Sequence, residues 1–179
     1  MEFVSKSPEE TKKIASDLAH QVVEIRVASP SSPKENNSNF RYLAQKIIKT
    51  KKGTIIAMEG ELGAGKTTFI QGFMASLGID EKVKSPTFVL MKKYVVPKSV
   101  KSRRRLDCQG DALTIYHLDC YRIADHKDLK IPELEEILNE EGSIVFIEWA
   151  ERIKEILPKN HITVHIDHIS EKKRKIIIS

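Results

Sequence analysis

"MEGELGAGKTTF", Met58 to Phe69, decides the fold. Within it, Gly60 to Thr67 fits G-x-x-x-x-G-K-[ST] at every fixed position. "TIIAME" before it is a short strand of the buried type, and "KTTFIQGFMASLG" after it carries Phe69, Ile70, Phe73, Met74 and Leu77 at helical spacing. Gly78 supplies the stop signal. A strand, a glycine loop and a helix in that order form a phosphate cradle. Glycines let the backbone N–H groups approach an anion, and the helix aims its positive end at the same place. Lys66 is placed to reach the β- and γ-phosphates and the Thr67 hydroxyl to ligate Mg²⁺. The expected nucleotide contacts are Glu61, Leu62, Gly63, Ala64, Gly65, Lys66, Thr67 and Thr68.

Outward from the loop, strands and helices alternate. "SPEETKKIASDLAHQV" reads as a helix capped by Ser7, with Glu10 three residues on and Pro8 at the first position. "ASPSSPKENNSN" reads as a loop or a disordered insert, and "NFRYLAQKIIKT" as a second helix. Strands are expected in "TFVLMKKYVV", "ALTIYHLDCYR" and "SIVFIEWA", a short helix in "IPELEEILNEEG", and a closing hairpin in "HITVHIDHI" with "KRKIIIS". The pattern predicts an α/β fold with a mostly parallel central sheet flanked by helices, as in P-loop NTPases. Antiparallel strands are expected near the carboxyl end. At 179 residues the chain is most simply one domain, with insertions expected near 22–39 and 97–112.

The composition, 40% apolar and 31% charged, excludes a disordered chain. No apolar run approaches the roughly 20 residues of a membrane span. Two cysteines are too few for a disulfide framework, so a cytoplasmic location is expected. From Lys82 to Arg105 there are nine basic residues and no acidic one, a stretch suited to a polyanion, an acidic protein face or plain solvation. His161 and His165 would share a strand face while His168 points away, so the three do not converge on a metal.

Such a loop needs an acidic partner to hold the metal and position the attacking oxygen. Asp119 in "TIYHLDCYR" and Glu148 in "SIVFIEWAER" both end apolar strands, where α/β proteins place their ligands. His117 lies two residues from Asp119 on the same strand face. "SPTF" (Ser85 to Phe88) sits between the loop's helix and the next strand, where a threonine, here Thr87, can sense a γ-phosphate.

"GELGAGKTT", "SPTF", "HLDCYR" and "IEWAER", in this order on a short chain, resemble the TsaE (YjeE) family. The resemblance covers roughly Thr54 to Leu157, together with the amino-terminal helix. It implies an ATPase required to form the threonylcarbamoyl group on adenosine 37 of tRNA (t6A). That ATPase would act as a partner-activated switch for a TsaB–TsaD-type complex and meet tRNA through that complex, with no membrane partner. It implies that Thr67 and Glu148 ligate Mg²⁺ and that Asp119 takes the Walker B-like place. It also implies that Thr87 lies in a switch-like segment, that Trp149 adjoins the site, and that Thr11 lies near the nucleotide. Lys66, Asp119 and Glu148 would then be the catalytic set. Ala150 stands where the family pattern more often has proline. Two rivals stay open at this stage. One is a small-molecule kinase with Arg103–Arg105 as a phosphate-clamping lid, and the other a nucleotide-dependent binding module without turnover.

Overall fold

The computed structural model describes residues 1–27, 53–79, 81, 83–86, 90–96, 113–123 and 131–179. The expected second helix, the insertion near 97–112, Thr87 and Arg103–Arg105 lie outside the described residues. In chain order the elements are β1 (Glu2–Ser5), α1 (Pro8–Val27), β2 (Thr54–Glu59), α2 (Lys66–Ser76), β3 (Met91–Val95) and β4 (Thr114–Asp119). Then come α3 (Ile131–Asn139), β5 (Ser143–Glu148), a 3-10 turn (Ala150–Ile153), β6 (Ile162–His168) and β7 (Arg174–Ile178).

All seven strands share one sheet in the order β1-β7-β6-β2-β5-β4-β3. β6, β2, β5 and β4 form a parallel centre. The edges are antiparallel: β1 and β6 each pair with β7, and β3 pairs with β4. The fold class is therefore α/β with a parallel core, and the closing hairpin is the expected one.

Strand alternation sorts the side chains into two clusters. Ile56, Met58, Ile115, Ile144 and Phe146 point to the face covered by α1 and α2, while Ile55, Ala57, Tyr116, Val145 and Ile147 meet α3 on the other. Phe73 of α2 packs edge-on against Phe146 of β5, with ring centroids 4.8 Å apart.

The start of α1 follows its sequence. The Ser7 hydroxyl accepts the Glu10 N–H at 3.2 Å, and the Glu10 carboxylate accepts the Lys6 N–H at 2.7 Å. The helix runs on to Val27, because Val22, Val23 and Ile25 are buried and continue its apolar stripe. Residues 22–27, read from sequence as the start of an insertion, belong to this helix. β1 was not foreseen. It is four residues long with only Ser5 buried, and its order comes from pairing with β7, which local sequence does not encode.

α2 lies very close to α1. A Cβ on Gly72 would sit 2.4 Å from the Lys12 Cα, a backbone atom that cannot swing aside. An exposed helical glycine gains stability on replacement by alanine. Gly72→Ala should instead destabilise the fold by roughly 1–3 kcal/mol through overpacking and so lower Tm; a raised Tm in thermal melting would show that the two helices separate freely.

His165 joins β2 to β6. Its Nδ1 lies 3.3 Å from Glu59 and its Nε2 2.9 Å from Asp167. Burial works against its charged form, yet the two carboxylates prevail and raise its pKa above the ordinary histidine value. The stability it adds is therefore complete below about pH 6.5 and fades as pH rises through the elevated folded value. The Tm gap between wild type and His165→Gln should be wider at pH 6 than at pH 8; equal gaps would deny the ion pairs any role.

Candidate functional site

β2 ends at Glu59, and the chain turns at once into the glycine loop that starts α2. Gly60 fixes the turn: a Cβ there would meet the Ile166 carbonyl oxygen at 2.2 Å, and its φ is +128°. The loop thus lies against the backbone of β6, where no larger residue fits.

Two apolar rows change character at the carboxyl ends of neighbouring strands. Ile115, His117 and Asp119 succeed one another on β4, and Ile144, Phe146 and Glu148 on β5, with Asp119 and Glu148 directly paired in register. Both carboxylates are about 3% exposed and face the amino end of α2. The Thr67 hydroxyl donates to Glu148, with its oxygen 2.9 Å from Oε1 and 3.0 Å from Oε2. The buried His117 donates from Nε2 to Glu148 Oε1 at 2.8 Å, while its Nδ1 has no hydrogen-bond partner. Asp119 Oδ1 accepts the Tyr121 N–H at 2.9 Å, and its other oxygen accepts from Ser85. Ser85 opens the "SPTF" segment, so that segment is tied directly to the acidic pair.

Lys66 folds back over its own loop. Its ammonium donates to the Gly60 carbonyl at 2.5 Å and the Glu61 carbonyl at 2.9 Å, and it lies 3.8 Å from the centre of the Trp149 ring. Burial depresses its pKa, and the negative charges of Glu148, Glu151 and Asp119 oppose that shift. Trp149 itself has φ +59°, a left-handed backbone that bulky residues rarely adopt. Alanine at 150 suits this turn, because a proline there would drive the preceding residue toward extended backbone. Tyr121 and Arg152 complete the wall: the Tyr121 ring is 5.1 Å from Trp149, and the Arg152 guanidinium is 5.6 Å from it.

The loop separates two cavities. One, of about 420 Å³, is lined by Lys66, Thr67, Ser85, Asp119, Glu148 and Trp149. The other, of about 470 Å³, lies between the loop and α1 and is lined by Thr11, Gly63, Gly65, Thr68, Lys172 and Arg174. Thr11 reaches this second cavity despite its distance in sequence. β1, paired to β7, delivers the start of α1 to the loop, and Thr11 is held by Ser5 at 2.8 Å and by the Ser7 carbonyl at 3.2 Å. Leu62 projects from the loop tip, 74% exposed.

Every predicted site residue among the described ones thus lies on or beside the loop. Sequence reasoning missed Ser85, Tyr121, Arg152 and Arg174. The first three fall inside motifs already singled out, whereas Arg174 was read only as part of the closing hairpin. Cys120, next to Asp119, is buried, and burial pushes its thiol up to about 12, which leaves it inert as a nucleophile. Among the described residues no helix is long and apolar enough to cross a membrane.

A family model described as threonylcarbamoyl adenosine biosynthesis protein TsaE matches residues 34–176. The tRNA threonylcarbamoyladenosine biosynthesis protein TsaE of Bacillus subtilis is 36% identical over 127 residues, covering 70% of this chain and 69% of that protein. Its counterpart in Haemophilus influenzae is 33% identical over 132 residues, covering 74% of each. The crystal structure of Bacillus subtilis YdiB superposes with a TM-score of 0.60 at 27% identity, covering 98% of this chain and 82% of that one. Sequence, loop geometry and relatives agree, and the chain belongs to the TsaE family of tRNA threonylcarbamoyladenosine biosynthesis proteins.

Proposed function

We propose that this protein is a Mg²⁺-dependent ATP hydrolase. It acts as a partner-activated nucleotide switch for a TsaB–TsaD-type protein pair that attaches threonylcarbamoyl to tRNA. The observation that carries this reading is the chain of contacts from Thr67 through Glu148 to His117 directly beneath the glycine loop.

Thr67 and Glu148 suit Mg²⁺ because they offer hard oxygen donors about 3 Å apart, with Asp119 alongside on the next strand. When bound, the ion would offset phosphate charge and orient the transferring group. The chain's own residues do the rest. Lys66 exchanges its two carbonyl partners for phosphate oxygens, and the loop N–H groups hold the remainder of the anion. His117 keeps the Glu148 carboxylate turned toward Thr67. The nucleoside end lies in the cavity toward Thr11, on the far side of the loop from the acidic pair.

The switch part of the reading rests on position. Ser85 links Asp119 to the segment that the resemblance marks as switch-like, so a change at the acidic pair is felt there first. Among the described residues Leu62 and Tyr121 are exposed beside the site, which suits completion by a partner. tRNA is reached through the complex.

The test is ATP hydrolysis by the purified protein, alone and then with a TsaB–TsaD-type pair and tRNA. A low basal rate that rises with the pair, accompanied by tRNA modification, is the expected result. Brisk phosphoryl transfer to a small metabolite, indifferent to the pair, would make the protein a kinase. Tight nucleotide binding without turnover under any condition would make it a binding module. Lys66→Ala should reduce turnover at least roughly a hundredfold, and near-normal turnover in that variant would refute the phosphate-loop assignment. Glu148→Gln should lower kcat far more than nucleotide affinity; a change in melting temperature alone would leave Glu148 a purely structural group.

A further inference from the structure

One arginine outside every motif holds the glycine loop from behind. Arg174 begins β7, and its Nε donates to the Ala64 carbonyl at 3.0 Å, across 110 residues of sequence. Its Nη1 donates to three carbonyls of the β6–β7 turn, those of Ser170 at 2.9 Å, Glu171 at 3.2 Å and Lys173 at 3.0 Å. The turn is closed by its own backbone, with the Ile169 N–H donating to the Lys173 carbonyl at 3.0 Å. The guanidinium is therefore anchored at one end before it touches the loop at the other.

The consequence follows from peptide geometry. In a trans peptide the carbonyl of one residue and the N–H of the next point in opposite directions. Holding the Ala64 carbonyl toward β7 turns the Gly65 N–H away from β7, toward the side that Lys66 and Thr67 line. Nothing within the loop itself fixes this peptide plane. Gly65 has φ +109°, no side-chain cap and, beyond its chain neighbours and the helix's own backbone, no atom within 4 Å of where a Cβ would lie. Its carbonyl accepts the Phe69 N–H at 2.9 Å, which fixes the following plane and leaves the Ala64–Gly65 plane to the permissive glycine φ. The Ala64 N–H is bound to the Glu61 carbonyl at 3.1 Å, but that bond fixes the preceding plane.

We infer that Arg174 is a positioning residue for the phosphate cradle. It sets the direction of the Gly65 N–H and thereby couples the β6–β7 turn to nucleotide affinity. The inference rests on the nucleotide reading above. A charge-assisted hydrogen bond to a carbonyl is strong enough to bias a peptide flip that glycine otherwise permits.

Calorimetric titration of ADP and ATP against wild type, Lys66→Ala, Arg174→Met, Arg174→Gln and Arg174→Lys tests it. Methionine keeps the stem without donors, and glutamine is too short to span the turn and Ala64 together. Arg174→Met and Arg174→Gln should weaken ADP and ATP by the same factor, roughly tenfold, and raise KM for ATP while kcat stays within about twofold. Arg174→Lys should recover part of the loss. Either donor-free or shortened variant that melts within a few degrees of wild type suffices, and wild-type affinity in it, with Lys66→Ala impaired, overturns the inference while the nucleotide reading stands. A loss confined to ATP would mean direct contact with the γ-phosphate and also overturns it. If wild type binds neither nucleotide, the nucleotide reading fails and this inference fails with it.

Discussion

The Glu148 carboxylate sits at the end of β5 with about 3% of its surface exposed. A carboxylate in that place costs several kcal/mol unless its oxygens are hydrogen-bonded. Thr67 and His117 provide those bonds, and neither side chain can do so unless β4, β5 and the start of α2 meet in one register. The parallel pairing of β2 between β5 and β6 is what brings them together. Satisfying one buried acid therefore constrains three elements at once, and the same constraint assembles the site.

The chemistry and the stability of this region pull in different directions. Lys66, depressed by burial, is held by two carbonyls and an indole face, and Trp149 is held in a left-handed backbone. Such arrangements persist only when their surroundings over-determine them. Here the surroundings are the close approach of Gly60 to the β6 backbone and of Gly72 to α1, neither of which leaves room for a side chain. The loop is thus fixed by packing rather than by its own conformational preference.

Much of this was legible in the sequence because the deciding signals are local. The glycine loop, the strand before it, the helix after it and the acid at the end of each apolar strand need only neighbouring residues to be read. Strand parity even placed His117 with Asp119 on one face. What stayed hidden depends on pairing between distant segments. β1 has no local strand signal and is ordered by β7. Thr11 is far from Gly60 along the chain, and only that pairing carries the start of α1 to the loop. Arg174 looked like one more residue of the closing strand "KRKIIIS", and its role appears only once β7 lies beside β6 and Ala64 comes within reach.

The tethers on the loop are unevenly distributed, and this bears on how a switch could operate. Behind it are β6 through Gly60, α1 through Gly72 and β7 through Arg174, all backbone contacts or bonds to backbone. In front are side chains: Thr67 on Glu148, Lys66 against Trp149, Ser85 on Asp119. Backbone tethers hold one arrangement, whereas side-chain contacts of this kind exchange partners by rotation about single bonds. A ligand arriving at the front can therefore re-pair Lys66, Thr67 and Ser85 without disturbing the sheet. In the proposed switch the signal would leave through Ser85 rather than through the core, on the side of the molecule where Leu62 and Tyr121 are exposed.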